Sequence, residues 1–137
     1  MKSETLNTAQ ALLAHIGLKT EALKLFGADI LVKQWTASER LKYLGLISQG
    51  KDESDTIELL RPQARVVALS MVDSDGNPLF PHKWDNDKLI FDDEEAVETL
   101  VQNRAQETSD AFVAVSQFNG VVYQTSIADE EEQAVKN

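Results

Sequence analysis

Apolar residues recur along the chain with two periods, and the switches between them mark its elements. Leu6, Ala9, Leu13 and Ile16, with Leu12 alongside, follow steps of three and four and define one helical face. Gly17 suits the end of that helix, because a residue without Cβ adopts the left-handed conformation that closes many helices. After a short turn-rich stretch, Thr20 is placed to cap one or two helical turns holding Leu23 and Phe26, ended by Gly27. Residues 29–35, Asp-Ile-Leu-Val-Lys-Gln-Trp, read as a strand. Alternation puts Ile30 and Val32 on one face of it, and Leu31 and Trp35 on the other.

Thr36-Ala37-Ser38-Glu39 has the spacing of a capping box, in which each side chain satisfies a free backbone N–H at a helix start. The helix it opens is expected to run to Gln49 and to bury Leu41, Leu44 and Ile47 with Tyr43, and Gly50 terminates it. Residues 51–55 are charged and polar and read as a loop. Proline fits the first turn of a helix, where its missing N–H costs nothing. Pro62 therefore places a helix over 62–72, apolar almost all round through Ala64, Val66, Val67, Ala68, Leu69, Met71 and Val72, and hence central and buried. The β-branched run in this segment also permits a strand.

Asp73-Ser74-Asp75-Gly76-Asn77-Pro78 concentrates turn residues. Leu79-Phe80 and Leu89-Ile90-Phe91 form two short strands in this reading, with an irregular loop over 81–87 between them. Asp92 or Asp93 caps a helix lined by Ala96, Val97, Leu100 and Val101, and early acids favour its N-terminus. A polar stretch over 102–107 leads to a further helix carrying Ala111, Phe112, Val115 and Phe118, closed by Asn119-Gly120. Residues 121–127 add an edge strand. The expected fold is α+β and mainly helical, with four to five helices and a small two- to three-stranded sheet. One globular domain spans 1–128, and 129–137 is an acidic, mobile tail.

Composition narrows the function. The length of 137 residues fits one domain, and 42% hydrophobic residues suffice for a core. There is no cysteine, which removes disulfides, thiolate metal sites and cysteine nucleophiles. No apolar run approaches the ~20 residues that span a bilayer, and the N-terminus lacks a signal-peptide pattern, so a cytoplasmic setting is expected. The net charge of −10 is uneven. Residues 1–68 hold 9 Lys+Arg and 8 Asp+Glu, and residues 69–137 hold 4 and 15, so the halves carry +1 and −11. An acidic half repels nucleic-acid phosphates and anionic membranes. It serves as a solvated face, or it meets a basic partner or the near-neutral half of a neighbouring copy.

Catalytic signals are missing. His15 and His82 share no local motif, and each reads more simply as a surface or structural side chain. Asp73-Ser74-Asp75-Gly76 has its glycine at the fourth position, not the sixth, and Trp84 stands where a calcium loop needs its bidentate acid. No phosphate loop, nucleophile elbow or His-Glu-x-x-His helix is present. Arg40, Arg61, Arg65 and Arg104 are scattered, without the basic patch of a nucleic-acid binder. The chain is thus expected to be no enzyme, to use no cofactor or metal, and to act by binding proteins. Trp35, Phe80 and Trp84 are the candidate contact residues, since tryptophan is enriched at interface hot spots; the simpler alternative is that they plug the core beneath loops.

The order of elements is informative in its own right. A short strand leads to Thr36-Ala37-Ser38-Glu39-Arg40 and an amphipathic helix, and a polar link precedes an apolar helix from Val66 to Val72. Asp73-Ser74-Asp75-Gly76-Asn77-Pro78-Leu79-Phe80, an acid-capped helix, a second helix and Asn119-Gly120 follow. Over residues 28–120 this resembles the tail assembly chaperones of long-tailed, lambda-like bacteriophages and prophages. The resemblance implies a non-enzymatic role in the bacterial host cytoplasm. Such a protein binds the tape measure protein, keeps it soluble, helps recruit the major tail protein, and is left out of the finished virion. It also implies a longer product made by a frameshift near the end of the reading frame. It carries no defined binding residue, and residues 1–27 lie outside it. Self-association into a homo-oligomer is expected. The leading alternative is an acidic regulatory or inhibitory module of antitoxin or immunity type.

Overall fold

A computed structural model describes residues 5–49 and 56–121. In chain order these form α1 (Ala9–Ile16), β1 (Thr20–Leu25), β2 (Ala28–Lys33), α2 (Ala37–Gln49), α3 (Thr56–Ser70), β3 (Met71–Val72), β4 (His82–Asp85), β5 (Lys88–Phe91), α4 (Glu94–Asn103) and α5 (Ala105–Phe118). The fold is α+β and mainly helical, with one three-stranded and one two-stranded antiparallel sheet among the described residues. The readings of Gly50, of 51–55, of 122–127 and of the acidic tail fall outside those residues.

The first departure from the sequence reading is at Thr20. The short helix expected there is β1, which pairs with β2 in the register Leu25↔Ala28, Leu23↔Ile30, Glu21↔Val32. The connecting residues Phe26 (φ 54) and Gly27 (φ 75) both take positive φ, as a two-residue hairpin requires for its twist to match the strands. A bulky residue rarely takes that conformation, so Phe26 concealed the hairpin. Leu25 and Val32 point inward and are buried, and β3 closes the sheet through Leu31↔Val72 and Val32↔Met71.

The capping box forms as read: Glu39 N–H donates to Thr36 Oγ1 (3.0 Å), and Thr36 N–H donates to Glu39 Oε1 (2.9 Å). The helix it opens is turned differently from the expectation. Leu41 is 76% exposed, whereas Tyr43 and Leu46 are buried and Leu44 and Ile47 are half-buried. Tyr43 sets this rotation, because its ring meets Trp35 edge-on at 5.3 Å and its hydroxyl donates to Glu39 Oε2.

The third helix starts at Thr56, earlier than Pro62 suggested, and holds Pro62 in its interior. From Ala64 to Val72 every residue is buried except Arg65. This segment is the centre of the molecule, packed by α5, α4 and α2, and it ends as the two-residue strand β3. Both sequence readings of the apolar run therefore apply, one after the other. The turn beyond it is built by Asp73, whose Oδ1 accepts from the N–H groups of Asp75 and Asn77 (both 2.9 Å), with Gly76 at φ 84.

The expected strand at Leu79-Phe80 and loop over 81–87 are replaced by the β4–β5 hairpin, in the register His82↔Phe91, Trp84↔Leu89. Asn86 turns it at φ 56, a conformation asparagine tolerates. Asp93 caps α4 by accepting from Ala96 N–H (3.1 Å). Only Arg104 separates α4 from α5, not the polar stretch expected over 102–107. Buried Thr108 ties the two together, its hydroxyl donating to Leu100 O at 2.7 Å. Gly120 (φ 74) closes α5, with Gly120 N–H donating to Gln117 O and Val121 N–H to Ser116 O, the paired bonds of a left-handed helix end. Gly17 was expected to play that part for α1, but it leaves in an extended conformation (φ −59, ψ 150).

Candidate functional site

The three candidate aromatics separate. Trp35 is 7% exposed and belongs to the core. Its indole N–H donates to Ser70 Oγ (2.9 Å), and Ser70 in turn donates to Val66 O. Its backbone N–H donates to Asn119 Oδ1 (2.7 Å), which joins the entry of α2 to the end of α5. Phe80 and Trp84 are half-buried against the rim of the core. Trp84 lies on β4 with the ammonium of Lys42, from α2, 4.8 Å from its ring centroid. The ring quadrupole attracts a cation held there, by about 0.5–1 kcal/mol at an exposed site.

Trp84 and Leu89 are cross-strand partners, and beside them an open groove of about 560 Å³ runs between α2 and the hairpin. Leu46, Arg65 and Leu89 line it, with Asp85, Asp87 and Lys88 at the hairpin end. Arg65 fixes the hairpin to α3. Its Nη2 donates to Leu89 O (2.7 Å), its Nη1 pairs with Glu94 (3.0 Å), and its guanidinium stacks 5.1 Å from the Phe91 ring centroid. Arg61 clamps Glu98, Nη2 donating to Oε1 at 2.9 Å and Nε to both carboxylate oxygens at 3.1 and 3.2 Å, and also pairs with Glu58. That contact, and the bond from Gln102, hold the Glu98 carboxyl below its usual range.

Glu39 is the most connected acid. Burial pushes its pKa up, but the bonds from Lys33 and Thr36, with the Lys33 charge, outweigh this and leave it lowered. Burial, and the negative charge of Glu39 beside it, push the Tyr43 hydroxyl above its usual range. Both support α2. His82 Nδ1 lies 3.1 Å from Phe80 O and its ring packs edge-on against Phe91, while His15 is exposed at the end of α1. Among the described residues, no group of three His, Cys, Asp or Glu side chains is placed to hold a metal. Among the same residues, no helix is long and apolar enough to cross a membrane.

Two surfaces escaped the sequence reading. The first is the apolar face of α1, which the sequence defines as a helical face and which stays at the surface, since α1 buries no residue at all. The second is a shallow groove between the starts of α3 and α5, lined by Leu59, Leu60, Gln63, Ala105, Gln106 and Ser109. The small residues Ala105 and Ser109, one helical turn apart, open it, and no local pattern announces a groove made by segments this far apart in sequence. Compared with protein-family models, curated proteins and solved structures, the chain has no match in any of the three.

Proposed function

We propose that this chain is a tail assembly chaperone of the long-tailed, lambda-like phage type. In the host cytoplasm it binds the tape measure protein, keeps it soluble and helps bring the major tail protein to it, in several copies and without entering the virion. One observation carries the reading: the order of elements over residues 28–120, in which the buried run Val66–Val72 enters the Asp73–Phe80 turn and then an acid-capped helix pair. The physical demands of the task support it. A long helical partner exposes apolar stripes until subunits cover them, and its keeper needs apolar grooves on a charged, soluble body. The groove between α2 and the hairpin combines two apolar walls, Leu46 and Leu89, with a charged rim of Arg65, Asp85, Asp87 and Lys88.

Co-expression with the tape measure protein of the same genome tests this. The expected result is that the tape measure protein becomes soluble and co-purifies, and that Trp84→Ala, folded as judged by its melting temperature, lowers the recovered complex several-fold. An insoluble tape measure protein, with the short and any longer frameshifted product both supplied, would sink the reading.

The charge of −11 on residues 69–137 favours a second reading, an acidic regulatory or inhibitory module of antitoxin or immunity type. It requires a basic partner encoded nearby, and stoichiometric, salt-sensitive inhibition of that partner would decide for it.

A further inference from the structure

Asn119 is followed by glycine, and no other asparagine in the sequence is. This pair has a chemistry of its own. The backbone nitrogen of the following residue attacks the asparagine side-chain carbonyl carbon, forms a C–N bond that closes a succinimide ring, and expels the side-chain nitrogen as ammonia. Water then opens the ring at either carbonyl, leaving an aspartate or an isoaspartate. A side chain on the following residue crowds the attack, and glycine has none. Burial does not prevent the reaction here, since Asn119 is half-buried and Gly120 is exposed. The bonds at the end of α5 do. The attacking nitrogen of Gly120 is engaged, its N–H donating to Gln117 O at 3.0 Å. The Asn119 amide is held at both of its atoms: Oδ1 accepts from the backbone N–H of Trp35 (2.7 Å), and Nδ2 donates to Val115 O (3.0 Å). Its backbone carbonyl accepts from Arg40 Nη1 at 3.0 Å. The backbone angle also opposes closure. At ψ 12 the nitrogen of Gly120 points away from Cβ of Asn119, whereas the ring needs the two nearly eclipsed.

We propose that Asn119 is a site of spontaneous deamidation gated by the fold, shut while the end of α5 is in place and reactive whenever that end comes free. Helix ends open locally at far lower cost than the whole domain unfolds, so the rate at Asn119 reads how often this one opens. The product does not rebuild the site. An ionised aspartate has no N–H to give Val115 O, and it sets a carboxylate oxygen against that carbonyl, which leaves a hydrogen bond unmade. An isoaspartate puts an extra methylene into the main chain and carries Gly120 N–H away from Gln117 O. In either form the modified chain loses part of the link between the end of α5 and the entry of α2, and the mark is a permanent record of opening. The inference stands apart from what the chain binds.

The full chain, held in mildly alkaline buffer with and without denaturing guanidinium chloride, tests this. Mass spectrometry of the peptide containing residue 119 follows the replacement of amide by acid. The folded chain is expected to react at least about tenfold more slowly than the unfolded one, which corresponds to an opening cost of about 1.4 kcal/mol. Arg40→Ala, at an exposed position, removes the bond to Asn119 O. It should speed the reaction of the folded chain severalfold and leave the rate in denaturant unchanged. Asn119→Asp, which stands for the aspartate product, should melt below the wild type. Asn119→Gln, whose longer side chain closes its ring slowly, should lose the mass gain in denaturant. Equal rates in the folded and unfolded chains overturn the gating, as does an Arg40→Ala protein that reacts as slowly as the wild type when folded. A mass gain that persists in Asn119→Gln places the reaction at another residue and overturns the site. An Asn119→Asp protein that melts with the wild type overturns the lasting effect of the mark.

Discussion

The helices α1 and α3 are both written largely in apolar residues, and the structure treats them as opposites. In α3 the run from Ala64 to Ser70 is buried apart from Arg65, and Val67, Ala68 and Leu69 are fully enclosed. In α1 nothing is buried, and Leu13 and Ile16 stand well over half exposed. Hydrophobic content is thus a poor guide to where a core lies. What distinguishes α3 is company: α2, α4 and α5 all pack on it, and its end continues into the sheet as β3. The first helix is followed by a glycine that leaves it in an extended path, and among the described residues it meets no comparable surface.

Four measurements bear on this contrast, in falling order of expected effect. Leu69→Ala is expected to cost about 2–5 kcal/mol in a denaturant titration, the range for truncating an enclosed leucine. A cost below about 1 kcal/mol would deny α3 its place at the centre. Trp35→Phe removes the indole donor from Ser70, and should cost about 1–3 kcal/mol. In a double-mutant cycle with Ser70→Ala the two losses should be less than additive, and additivity would mean that the bond stabilises nothing.

A smaller effect is expected at Glu39, whose folded pKa is lowered. Its stabilisation is therefore complete above the unfolded carboxylate value of about 4.3 and is lost as pH falls through the lower folded value. Glu39→Gln should flatten the fall in melting temperature below about pH 4.3, and an unchanged acid profile would assign that fall to other carboxylates. The smallest effect belongs to α1: Leu13→Asp should change the stability of the isolated chain by no more than about 0.5 kcal/mol, as surface changes do. A loss like that of Leu69→Ala would collapse the contrast between the two helices.

What the sequence made legible was local. The Thr36–Glu39 box, the Asp93 cap, the Asp73 turn and the Gly120 helix end each depend on residues within a few positions, and each forms. Errors arose where distant partners decided. The rotation of α2 that exposes Leu41 and buries Leu46 follows from Tyr43 meeting Trp35 beneath α3, which no helical wheel contains. Strand β1 was hidden because its turn places a phenylalanine at positive φ. At the candidate site, Trp84 is half-buried at the rim of the core, with Lys42 over its ring. Trp35 gave no local cue: the partners that draw it inward are Ser70 and Asn119, 35 and 84 residues away.

Asn119 has a consequence for the order in which the chain is made. Its side chain holds Trp35 N–H, its carbonyl accepts from Arg40, and its own N–H closes α5. This clasp joins the first third of the described chain to its last residues. During synthesis α2 and the β1–β2 hairpin emerge long before Asn119 exists, and the bond from Trp35 N–H cannot form until it does. Contacts so far apart in sequence form slowly, after the entropy of closing the intervening loop has been overcome. On the ribosome, then, this protein remains open for most of its translation and acquires its finished surfaces only once the end of α5 has left the exit tunnel.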